Sequence, residues 1–117
     1  RALDGVPPER TDERPDGATH SLGELLWHLW FTQHDLVDFC VNAGYRQPPW
    51  PEAYWPSEPV DWEATRARFL ADLGRLVALA ETADLTAELP HAPGYTVLRE
   101  VMLAADHNAH HLGQIIS

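Results

Sequence analysis

Near the end of the chain, Asp106-His107-Asn108-Ala109-His110-His111 gathers three of the seven histidines. On a helix, His107 and His111 are one turn apart and project from one face. Two neutral imidazoles at that spacing can share one metal ion at about 2.0–2.1 Å each. Glu100 and Gln114 stand seven residues before and after His107, near the same line along the helix. Either could orient a ligand ring or a bound water. His110 sits at the edge of this face. A surface cluster of histidines would have the same spacing, and a third ligand from another helix would strengthen the metal reading. The residue after His107 is Asn108, not the glutamate of H-E-x-x-H, so the general base of a zincin-type protease is missing.

His28 is the candidate third ligand. It lies in Leu25-Leu26-Trp27-His28-Leu29, on a helix face shared with Ser21, Thr32 and Asp35. A histidine at the margin of an apolar stripe is more often a hydrogen-bonded core residue than a ligand. His34, six positions on, is roughly 240° further round a helix and cannot join His28 at one ion. His20 and His91 fall in predicted loops and default to solvent.

Three helices are needed to place these residues. Ser21-Leu22-Gly23-Glu24 reads as a capping box opening the first, which runs to about Ala43 with Gly44 as a left-handed stop. Leu22, Leu25, Leu29, Gln33, Leu36 and Cys40 form its apolar stripe. Trp27, Trp30 and Phe31 point away from that stripe, which calls for a second neighbour: a further helix or another subunit. Residues 44–60 hold five Pro with Tyr45, Trp50, Tyr54 and Trp55 between them, a stiff loop unsuited to helix or central strand. At up to ~3.3 Å per residue it can span a whole helix, which permits a parallel crossover. The second helix runs from about Asp61 to Thr82. After a linker with Pro90, Pro93 and Gly94, Thr96 caps a third that continues from Val97 to the end. Residues 1–20, aperiodic and rich in Pro, Gly and charge, read as a loop or linker. No segment alternates with period two, so the class is all-α and the whole of 1–117 is read as one bundle domain. Arg at position 1, and a helical pattern still running at Ser117, lead us to expect a longer product.

Composition narrows the function. Asp plus Glu number 18 against eight basic residues, all Arg, for a formal net charge of −10. With no lysine, Schiff-base and Walker-type chemistry are excluded. The acidity argues against nucleic acid and against anionic membrane surfaces as partners. There is no membrane-length apolar run, and the single cysteine, Cys40, suits a reducing, cytoplasmic setting.

The histidine in Glu24-Leu25-Leu26-Trp27-His28-Leu29, the terminal Ala105-Asp106-His107-Asn108-Ala109-His110-His111-Leu112-Gly113-Gln114-Ile115-Ile116 and the Trp50–Pro56 loop together resemble the DinB-like superfamily of four-helix-bundle metalloenzymes. The family ending matches at His107, His111, Gly113, Gln114 and Ile115; its usual Tyr before the second His is His110 here. The likeness runs from about residue 17 to 117. It implies an up-down-down-up bundle whose long crossover is the 44–60 loop, with the first family helix upstream of Arg1. It also implies a metal triad of His28, His107 and His111; Asp35, Glu100 and Gln114 are the candidates read from the sequence for surrounding orienting groups. Characterised relatives transfer or isomerise small molecules with a low-molecular-weight thiol. Zn and Ni both suit imidazole ligands. A metal-dependent hydrolase on the same site, or a non-enzymatic, stress-related helical module, are the other readings. A homodimer through Trp27, Trp30 and Phe31 is expected from their apolar character.

Overall fold

The computed structural model describes residues 3–116. The expectations placed on the two chain ends, at Arg1 and Ser117, lie outside that range. Three long helices carry the fold: α1 (Leu22–Val41), α2 (Trp62–Thr82) and α3 (Val97–Ile116). Each starts at the cap its sequence provides. Ser21 Oγ accepts from Glu24 N at 3.2 Å while Glu24 Oε1 accepts from Ser21 N at 2.9 Å. Asp61 accepts from Ala64 N, and Thr96 from Arg99 N. These bonds satisfy amides that the helix itself leaves bare. At its far end α1 departs from expectation. It stops at Val41, with Asn42 as cap, and Asn42 Oδ1 takes the Gly44 amide. Among the described residues only Gly17 and Gly94 have positive φ, so Gly44 is not a left-handed stop.

Two apolar clusters fix how the helices run. One joins the start of α1 (Leu22, Leu25, Leu26, Leu29) to the start of α2 (Trp62, Phe69) and the end of α3 (Ile115). The other joins the later part of α1 (Val37) to Leu76 of α2 and Ala104 of α3. Therefore α1 and α2 are parallel and α3 is antiparallel to both. The Pro-rich segment between α1 and α2 is the crossover that parallel helices require. That is the order of the last three legs of an up-down-down-up bundle. α1 packs against both partners, while α2 and α3 touch each other little. An apolar groove of about 370 Å³ is left between those two, lined by Leu70, Leu73, Ala105, Ala109 and Leu112.

Some features depart from the sequence reading. The all-α class broadly fits, but the stretch after α2 forms a small hairpin, β1 (Glu88–Leu89) with β2 (Ala92–Thr96), in antiparallel pairing. Its register shifts between Glu88↔Thr96 and Leu89↔Ala92, and Gly94, at φ 88°, sits inside the bulged side. A two-residue strand paired with a bulged one offers no alternation to detect. Residues 3–20 are not a free linker either. The Thr11 and Glu13 carbonyls accept from Gly23 N at 2.8 Å and Leu22 N at 2.7 Å, docking the segment on the first turn of α1. A side chain at Gly23 would collide with the Thr11 side chain. Leu3 and Val6 then join the core. Within α1, Leu26 and Val37 are buried where Leu36 and Cys40 were expected, and those two are half-buried. Trp27, Trp30 and Phe31 are half-buried and pack on one another, with Tyr54 against Phe31 and Arg68 over Trp30. The chain itself therefore covers much of the face from which a dimer was expected. No helix among the described residues is long and apolar enough to cross a membrane.

Candidate metal centre

α1 delivers His28 and α3 delivers His107 and His111 to one point, because the two helices run antiparallel. The ring centroids form a near-regular triangle: 4.9 Å from His28 to each partner and 4.5 Å between the partners. One nitrogen from each ring lies within 4.8 Å of the others, a group that could hold a metal ion. His28 Nε2 and His107 Nε2 are 3.1 Å apart. That is inside the ~4.2 Å two nitrogens can span when each is about 2.1 Å from a shared ion. His110 packs edge-on against His111, outside this set.

The surroundings settle which nitrogens face inward. His28 Nδ1 is 2.8 Å from the Tyr54 carbonyl. A carbonyl only accepts, so Nδ1 carries the proton and Nε2 presents its lone pair. His111 Nδ1 donates to Gln114 Oε1, again freeing Nε2. His107 has no such partner, and its buried Nδ1 is unsatisfied. Burial lowers the pKa of all three rings, that of His107 down to about 4 with the neighbouring histidines adding to the effect. For His28 and His111, the Tyr54 carbonyl and Gln114 oppose the drop. The rings are thus held neutral at pH 7, the state a ligand needs. An inward lone pair, neutral rings and convergence from two helices fit a divalent cation.

A buried polar tie sets the rotation of α3. Asn108 Nδ2 donates to Gln33 Oε1 at 2.9 Å, and Gln33 Nε2 donates to the Phe69 carbonyl at 3.0 Å, crossing all three helices. Asn108, standing where a zincin has its glutamate, therefore points into the core and away from the His pair. The other expected orienting groups are placed differently. Asp35 touches none of the triad; it accepts from Tyr45 and Tyr54. Glu100 lies about 10 Å along α3 from His107, by helix rise, and pairs with Arg99 at 2.9 Å. It borders a separate cavity with Asp35, Tyr45 and Gln47. Only Gln114 reaches a ligand ring.

Sequence reasoning missed His20 and Tyr54. Trp55 is stacked between His28 (4.0 Å, 3°) and His20 (3.6 Å, 11°). His20 is thus half-buried rather than solvated, and with His111 and Gln114 it borders a cleft of about 210 Å³. His91 is also half-buried, against the Phe39 carbonyl at 2.6 Å. His34 points elsewhere, as expected, and bonds Asp72 at 2.8 Å.

The DinB superfamily model matches residues 1–115. The chain belongs to the DinB superfamily. No curated protein and no solved structure matches it. Within this DinB superfamily chain, Cys40 is not a candidate for thiol chemistry. It lies twelve residues beyond His28, about 18 Å along α1, and burial with the Glu100 carboxylate nearby pushes its pKa up to about 11. Alkylation of the native protein at pH 8 is therefore expected to be far slower than in urea, with the native rate still climbing above pH 10. Because the unfolded thiol ionises first, stability should also fall as pH rises from about 9 towards 11. An alkylation rate that levels off near pH 9 would contradict this placement.

Proposed function

We propose that this chain is a metal-dependent enzyme in which His28, His107 and His111 hold one divalent cation, Zn or Ni by donor type. Its chemistry would be transfer or isomerisation of a small molecule using a low-molecular-weight thiol. The observation that carries the reading is the convergence of three neutral imidazoles, two of them with the outer N–H already accepted by an oxygen. Three protein ligands are the number that leaves a position for an exogenous group. The cation would supply Lewis acidity, the property that makes a thiol or water acidic near neutral pH. The chain's own residues do the rest. Tyr54 and Gln114 hold the ring protons outward, Trp55 shields one face of His28, and the cleft beside His20 and His111 admits a small molecule. With Cys40 remote and unreactive, the thiol must come from solution, in keeping with a reducing, cytoplasmic setting.

A four-helix count belongs to the same proposal. The apolar groove between α2 and α3 has the lining that a fourth helix would cover. A homodimer using that groove is the competing arrangement, and light scattering combined with chain mass separates the two.

The functional test is metal analysis of untagged protein, followed by calorimetric titration with low-molecular-weight thiols. We expect one equivalent of divalent metal, and thiol binding that disappears when the metal is stripped. Ester hydrolysis without any thiol would favour the hydrolase instead. No metal in any preparation would leave a non-enzymatic helical module.

A further inference from the structure

We propose that Tyr54 and Asp35 are positioning residues for His28, acting through the crossover loop to lock its tautomer. The contacts form a closed circuit that begins and ends on α1. Asp35 lies seven residues after His28 on that helix. Its Oδ2 accepts from the Tyr54 hydroxyl at 2.6 Å and its Oδ1 from the Tyr45 hydroxyl at 2.7 Å. The Tyr54 carbonyl then accepts from His28 Nδ1 at 2.8 Å. Burial and the Asp35 carboxylate push the Tyr54 pKa up to about 12 and raise that of Tyr45 further, so both phenols remain donors. Trp55, the next residue, lies flat on the His28 ring, and its other face is covered by His20.

Each part has a separate effect. The stack fixes the plane of the ring. The carbonyl fixes which nitrogen is protonated. The phenol–carboxylate bond fixes where the carbonyl sits, because a loop carbonyl without that anchor can drift away from the ring. Partners of this kind typically contribute 10–100-fold to metal affinity. The tautomer itself follows from the metal-free geometry; the effect on affinity rests also on the metal reading above.

Tyr54→Phe removes only the hydroxyl and keeps the ring contacts with Phe31 and Trp50. The full chain, metal-free, is observed by 15N NMR of its histidine rings, and Zn2+ affinity is measured by chelator competition. Wild type should show His28 as a single tautomer protonated at Nδ1. In Tyr54→Phe that signal should broaden or shift towards the other tautomer, with His111 unchanged, and Zn2+ affinity should fall about tenfold. Asp35→Ala should move the same signals in the same direction. An unchanged His28 tautomer in both variants, or Zn2+ affinity within twofold of wild type, would overturn the proposal. A wild-type chain that binds no Zn2+ would instead defeat the metal reading, and the NMR comparison would still decide the tautomer.

Discussion

His107→Ala is expected to reduce bound divalent metal from one equivalent to background. His107 is the ring whose Nε2 already sits 3.1 Å from that of His28, so its loss leaves two donors on different helices. The fall in affinity should exceed the roughly 10–100-fold typical of an orienting partner. Stability should respond differently. The metal-free protein forces three neutral rings together and leaves His107 Nδ1 buried and unpaired, which costs about 1–3 kcal/mol. Removing that ring relieves the cost and offsets the lost packing. Metal-free His107→Ala should therefore melt close to wild type while failing to gain stability when metal is added. A variant that keeps one equivalent of metal would place the site elsewhere.

Leu29→Ala should show the opposite pattern. Leu29 is fully buried, next to His28 and one turn before Gln33, in the cluster that joins all three helices. Truncating such a side chain removes its transfer free energy and leaves a cavity, together about 2–5 kcal/mol. Against a total stability of about 5–15 kcal/mol, that is a large fraction. Urea denaturation measures it as a lower midpoint with an unchanged slope. A loss below about 1 kcal/mol would mean that the cluster repacks around the gap.

What the sequence shows and what it hides divide along physical lines. The capping box at Ser21 and the i, i+4 histidine pair are local, so spacing alone places them. The parallel crossover was open to sequence reasoning because loop length and proline content limit the path. The hairpin was hidden because its strands are short and bulged at Gly94. The segment around Leu3 and Val6 was hidden because it is held by backbone carbonyls of Thr11 and Glu13, which leave no side-chain signature. The site divides in the same way. Gln114 is three residues from His111 on one helix, so its contact follows from helix geometry. The group that orients His28 is a main-chain carbonyl 26 residues away, and no side-chain pattern encodes it. Asp35 was singled out for sharing a face with His28, yet it works through a tyrosine. Glu100 shares the helical line of His107 but lies two turns too far along to meet the ring. Asn108 could be read as a defective catalytic position, when its amide is part of the tie through Gln33 that aims its two histidine neighbours.

X-ray absorption spectroscopy of the untagged, zinc-loaded chain counts the imidazoles around the ion. Scattering from three imidazoles is expected, with nitrogens at about 2.0–2.1 Å, falling to two or fewer in His28→Ala. Oxygen-only coordination, or an imidazole count that does not change when His28 is removed, would contradict the three-histidine site.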